Sequence, residues 1–266
     1  MVIFLFSDRK FEQQAISCIR SLNKVISDDI KIVYFTIGFN SAFHQKNLHK
    51  SYVDVNEDFQ KFTYYKPDLS LRVMNMFPDE QYIYTDADVL FSPRFFIDKV
   101  INKDLNYPLA SFGIYEYPNI FETTNGITVY FSERKLMDYF NVPVRTMRYV
   151  WACFFSFNSN CRDFIEEWSS MCSNKYIYKD RKSYFPFHDE TSFNVCLWKR
   201  KSTKSLGYAF INTHLLEVVR NSENNINLRL DFNTGEMAEN NKNILFYHGF
   251  NDQAEMNASL DYLLKL

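Results

Sequence analysis

Short apolar runs alternate with helical stripes over residues 2–85, and this alternation narrows the fold more than any other feature. Residues 2–6 read VIFLF, an unbroken apolar run. Phe11, Ala15, Ile16, Ile19 and Leu22 then recur at helical spacing. Residues 31–37 are a second β-rich run, closed by Gly38. Residues 67–77 read as a helix, with Pro67 suited to its first turn and Pro78 to its stop. A third β-rich run, 82–85, leads into Asp86-Ala87-Asp88. Strand, helix, strand, helix, strand predicts an α/β chain with a mostly parallel central sheet.

Beyond residue 108 strands are expected at 109–114, 127–131 and 149–157, and helices at 162–171 and 190–199. Residues 222–243 are Asn-rich and weakly periodic, and read as loop. A last strand is expected at 244–247, before His248-Gly249. No repeat or long linker divides the chain, so residues 1–266 read as a single domain. Hydrophobic residues make up 46% of it, enough for a sizeable core.

Several function classes fall away on composition. Lys and Arg number 30 against 32 Asp and Glu, a net charge of −2, so the basic excess that grips nucleic acid is missing. The five cysteines form no C-x-x-C pair, which argues against structural zinc and for buried thiols in a reducing cytoplasm. The apolar start is too short for a secretion signal, and no transmembrane segment is expected. Aromatic residues reach 18%; most must line the core, and a surplus suits a cleft that stacks sugar-like rings. The 6 glycines form neither G-x-G-x-x-G nor a P-loop, and G-x-S-x-G and H-E-x-x-H are missing too. For binding a nucleotide diphosphate, a metal held by carboxylates is then the remaining common solution.

Asp86 and Asp88 are placed to hold one. Two residues apart on extended chain, they point to the same side. Apolar neighbours put them at the end of a buried strand, where open α/β sheets bind ligands. Two like charges there repel unless a cation joins them, and a hard divalent ion with oxygen ligands, Mn²⁺ or Mg²⁺, fits. The alternative is a turn with two solvated aspartates.

In this run, Tyr-Ile-Tyr-Thr-Asp-Ala-Asp, the chain resembles the glycosyltransferases of the GT-A fold, whose D-x-D also follows a hydrophobic strand. The resemblance implies a nucleotide-sugar donor, with Asp88 ligating a metal that bridges its diphosphate. Asp86 would touch the ribose or complete the metal shell. It implies a donor-nucleotide half over about residues 1–108 and an acceptor and catalytic half over about 109–266. Lys66, before Pro67, matches a basic residue that approaches the donor, or simply starts a helix. Ser7 and Asp8, after the first strand, stand where the fold meets the base or ribose, or form an ordinary turn.

A second cluster is His188-Asp189-Glu190-Thr191-Ser192-Phe193-Asn194. Phe193, Cys196 and Leu197 share a core-facing stripe, and Glu190 and Asn194 share another face. Asp189 could also cap the helix. The run is similar to the H-D-E-S-H-L-N signature of the retaining blood-group-type galactosyl- and N-acetylgalactosaminyltransferases, matching at His188, Asp189, Glu190 and Asn194. Tyr149-Val150-Trp151-Ala152-Cys153-Phe154-Phe155 is similar to that family's Y-V-G-A-F-F segment, with Trp151 in place of glycine. The likeness implies that Glu190 acts at the anomeric carbon as nucleophile or ion-pair stabiliser, that Asp189 binds donor-sugar hydroxyls, and that His188 goes with the donor contacts. Retention of configuration is expected, although inverting GT-A enzymes also carry an acidic pair on this helix, as general base. His248 matches the C-terminal histidine that is a third metal ligand in several retaining families. The family's default donor is a UDP-sugar; the acceptor, whether glycan, lipid or protein, is left open.

Lys199-Arg200-Lys201 and Lys204 end the same helix, and either complement its C-terminus or help an anionic ligand. The strongest rival class is a haloacid-dehalogenase-type phosphohydrolase with Asp86 as nucleophile. A sugar nucleotidyltransferase would need a glycine-rich loop, and a non-catalytic sugar-binding module leaves Glu190 unexplained.

Overall fold

A computed structural model describes residues 1–56, 62–92, 95–112, 140–142, 149–173, 188–207, 210–212, 216–220, 226–230, 246–250 and 253–263. The chain divides into two compact units, each built from separate stretches of sequence. One comprises Met1–Val55, Tyr82–Ile101 and Leu206–Leu266; the other comprises Asn56–Gln81 and Asn102–Ser205.

The first unit is built on four parallel strands. β1 (Val2–Ser7) lies between β2 (Lys31–Ile37) and β4 (Tyr82–Thr85), and β3 (Leu48–Val53) pairs with the other edge of β2. Inner strands of such a sheet are covered on both faces, which is why their sequences are apolar without alternation. Every residue of β1 and β4 is buried, as are six of the seven in β2. α1 (Glu12–Leu22) buries Ala15, Ile16, Cys18, Ile19 and Leu22. Ahead of it Asp8 caps a short 3-10 turn at Arg9–Phe11, its carboxylate accepting the Phe11 N–H. Gly38 ends β2 with φ +71°, the left-handed region that favours glycine, and a Cβ there would also press on Val55 Cγ2 at 2.6 Å.

A smaller sheet completes this unit. β5 (Val89–Phe91) pairs antiparallel with β11 (Phe246–His248), which pairs parallel with β8 (Phe210–Asn212). β9 (Leu216–Arg220) and β10 (Ile226–Leu230) form an antiparallel ribbon. The expectation of loop over 222–243 fails at β10, where Ile, Leu and Leu alternate with Asn and Arg in a short ribbon strand; the remainder of that stretch is outside the described residues. The expected strand at 127–131 is likewise outside them, as are residues 113–114 of the strand expected at 109–114.

In the second unit β6 (Leu109–Phe112) pairs antiparallel with β7 (Val150–Phe157), with a register shift between Ala110 and Ser111. α2 (Tyr65–Met76) has Pro67 in its first turn, and α3 (Arg162–Ser173) and α4 (His188–Lys199) follow later in the chain. Phe155, Trp168 and Phe193 pack with centroids 4.8–5.4 Å apart and centre this core. α5 (Gln253–Leu263) returns to the first unit, where Asn257 accepts the Ser17 hydroxyl of α1 at 3.0 Å. No helix among the described residues is long and apolar enough to cross a membrane.

Candidate active site

β4 runs parallel to β1 and delivers Asp86 and Asp88 just beyond its carboxyl end. The chain then turns at once into β5. Pairing of β5 with β11 sets Val89 opposite His248, so backbone register brings a histidine from near the C-terminus beside the two aspartates. His248 Nε2 lies 3.5 Å from Asp88 Oδ1 and 3.7 Å from Asp86 Oδ2. One ligand atom from each residue falls within 4.8 Å of the others, in the one such convergence of metal-ligating groups among the described residues. An octahedral ion with bonds of about 2.1 Å separates its ligands by about 3.0 Å in cis and about 4.2 Å in trans. The separations from His248, 3.5 Å and 3.7 Å, fall between these values, so small side-chain shifts would bring the three groups onto one ion, and two carboxylates with an imidazole suit Mn²⁺ or Mg²⁺. All three side chains keep partial exposure, from 15% at His248 to 30% at Asp88, so a ligand can reach them.

Three residues that drew no attention in the sequence support the pair. Tyr84 O–H donates to Asp86 Oδ1. Thr85 Oγ1 donates to the Asp86 carbonyl at 3.2 Å, and the Cys18 thiol lies 3.7 Å from the same oxygen. Burial, reinforced by the charges of Asp88 and Asp86, pushes the Cys18 thiol far above its ordinary range and keeps it protonated. Tyr84 stands on β4 two residues before Asp86, a spacing that puts the two on one side where the chain stays extended.

Ser7 is buried at the end of β1, its hydroxyl 2.6 Å from Tyr34 OH. Burial pushes the Tyr34 phenol up to about 12, partly offset by the Ser7 hydrogen bond, so the pair is neutral. Asp8, next to it, caps the following turn.

The second unit holds the other expected residues. Lys66 on α2 is 5% exposed; its Nζ lies 3.2 Å from Asp189 Oδ2 and donates to the Ala152 carbonyl at 3.1 Å. Glu190, half-buried, accepts the N–H of that same Ala152 at 3.2 Å on Oε2. Asn194 grips Val150 from both sides, accepting its N–H and donating to its carbonyl, each at 2.8 Å. The polar face of α4 thus closes on the backbone of β7 beside the register shift. Trp168 Nε1 donates to the Asp189 carbonyl at 2.8 Å. The option that Asp189 caps the helix is corrected: α4 begins at His188, so Asp189 lies within its first turn. The backbone of His188 opens α4; its side chain is outside the described ones.

Lys199 and Arg200 both bind the Glu167 carboxylate of α3, and Arg200 stacks over Phe164 with its guanidinium 5.0 Å from the ring centre. This much of the basic run serves packing between two helices.

No protein-family model matches the chain, and no curated protein matches its sequence. In structure it is similar to the galactosyltransferase LgtC, which was solved in complex with donor and acceptor sugar analogs. The TM-score is 0.59 at 17% identity, over 100% of this chain and 95% of that one. At this identity the likeness speaks for architecture, and the chain has the GT-A fold.

Proposed function

We propose that the chain is a metal-dependent hexosyltransferase that moves a sugar from a nucleotide-diphosphate donor, a UDP-sugar by default, to a glycan, lipid or protein acceptor. The observation that carries the reading is the convergence of Asp86, Asp88 and His248 at the end of β4. The fold it shares with a galactosyltransferase solved with donor and acceptor sugar analogs supports it. Asp88, Asp86 and His248 would hold Mn²⁺ or Mg²⁺, and a bound ion would supply Lewis-acid stabilisation of the departing diphosphate. Ser7, Asp8 and Lys66, with His188, are assigned to the donor side. The donor-nucleotide half spans about 1–108 and the acceptor and catalytic half about 109–266, with His248 returning to the donor side. Asp189 binds donor-sugar hydroxyls. Glu190 stabilises positive charge at the anomeric carbon or attacks it, and the product retains the donor configuration. All five cysteines are buried thiols, which supports action in a reducing cytoplasm.

The test is nucleotide release from a panel of UDP-sugars with and without acceptors. Chelator is expected to abolish turnover and Mn²⁺ to restore it, while a generic aryl phosphate is left intact. Full activity in excess chelator would overturn the metal assignment. Rapid aryl phosphate hydrolysis would favour the phosphohydrolase chemistry instead.

A further inference from the structure

Tyr84 is almost fully buried, at 1% exposure, on β4 two residues before Asp86. Its ring is held by Phe4 and Phe6, with centroids 5.3 Å and 5.9 Å away. Its only polar atom reaches Asp86 Oδ1. The other carboxylate oxygen, Oδ2, is the one turned to His248. The two oxygens of Asp86 are therefore divided, one to a buried phenol and the other toward His248.

We infer that Tyr84 is a positioning residue for the metal centre, and that it tunes which cation the centre accepts. The inference rests on the metal reading proposed above. The phenol fixes the Asp86 carboxylate about its Cβ–Cγ bond with Oδ2 toward His248, and its hydrogen bond competes with a cation for Oδ1, so binding through one oxygen is favoured. Mn²⁺ and Mg²⁺ in octahedral sites accept such one-oxygen carboxylates. Ca²⁺ favours 6–8 oxygen ligands, and its carboxylates often bind through both oxygens. Engaging Oδ1 disfavours that mode at Asp86. Outer groups of this kind typically change metal affinity by about 10–100-fold when removed.

Tyr84→Phe keeps the ring and its packing against Phe4 and Phe6, and removes the hydroxyl alone. Mn²⁺ binding is read by electron paramagnetic resonance on the metal alone, with Ca²⁺ as competitor and circular dichroism as the check on folding. Tyr84→Phe is expected to weaken Mn²⁺ by about 10-fold or more and to narrow its advantage over Ca²⁺. In an Asp86→Ala background, which removes the acceptor of the phenol, the same substitution is expected to change Mn²⁺ affinity less than twofold, because the phenol acts through Asp86. If wild type binds Mn²⁺ and folded Tyr84→Phe matches it in both affinity and Ca²⁺ competition, the inference is overturned and the metal reading stands. If wild type binds no Mn²⁺, the metal reading fails, and the inference with it. Equal losses from Tyr84→Phe with and without Asp86 would also overturn it, since the hydroxyl would then act on the fold and not through the carboxylate.

Discussion

Glu190 and Asp189 are neighbours in sequence but differ in what surrounds their charge. Asp189 is buried beside Lys66, each side chain 6% exposed, and the ion pair is completed by the Ala152 carbonyl. Removing one partner of such a pair leaves the other charge buried and typically costs about 3–5 kcal/mol. Asp189→Asn therefore confounds donor binding with stability. Glu190 is half-buried, and its Oε2 accepts a backbone N–H that the amide oxygen of glutamine can accept equally well. Glu190→Gln is thus the cleaner probe: the protein should stay folded and bind donor, while turnover falls on the order of 10²-fold or more, as when a main electrostatic or nucleophilic group is lost. A near wild-type turnover number in a folded, donor-binding variant would remove Glu190 from the chemistry. At this scale the sequence showed charge better than its partners. Asp86, Asp88 and His248 were legible because carboxylates beside apolar strands and a histidine after one are conspicuous. The role of Tyr84 was hidden, since a tyrosine in a β-rich run reads as core until its hydroxyl is seen to reach a carboxylate. The Lys66–Asp189 pair was also hidden, because nothing local connects the two positions.

Elements were legible in proportion to how fully they are buried. β2 and β4 match their expected limits, and β1 gains only Ser7, because strands covered on both faces must be apolar throughout. β3 escaped notice: it pairs on one side only within its unit, none of its residues LHKSYV is buried, and they give no apolar run. β5 is three residues long, too short for a periodic signal. α3 and α4 appeared nearly in full, and their junction allows a test. Burial tends to raise the Glu167 carboxyl pKa, but hydrogen bonds from Lys199 and Arg200 outweigh it, and the net effect lowers it below the ordinary 4.5. A folded-state pKa below the unfolded one means that the contribution is present at pH above 4.5 and fades as pH falls through the folded value. Glu167→Gln should therefore cost about 1 kcal/mol near neutrality, the pair being partly exposed, and progressively less in acid. Urea unfolding of both proteins across that range reads this directly. A difference independent of pH would show that the glutamate contributes through packing alone.

For the whole molecule, the sequence revealed the α/β class and the GT-A fold but not the partition of the chain. The chain passes between the compact units after Val55, Gln81, Ile101 and Ser205. No local composition marks these crossings, because each unit draws on stretches remote in sequence. The first unit owes its site to this: Asp86 and Asp88 come from its middle stretch and His248 from its last. A metal bound by all three would join those stretches in the native state and have no equivalent site in the unfolded chain. Mass action then makes metal binding a stability term, about 2.7 kcal/mol when the free ion is at 100 times its Kd. For a domain of this size each kcal/mol moves Tm by about 2–4 °C, so Mn²⁺ at that level should raise Tm by about 5–10 °C. Asp88→Ala should abolish the rise, since it removes a proposed direct ligand. His248→Ala should reduce it, and removing the ion with chelator should return wild type to its metal-free Tm. The measurement needs no substrate, so it tests the centre apart from catalysis. An undiminished Mn²⁺-dependent rise in Asp88→Ala would place the ion elsewhere in the molecule.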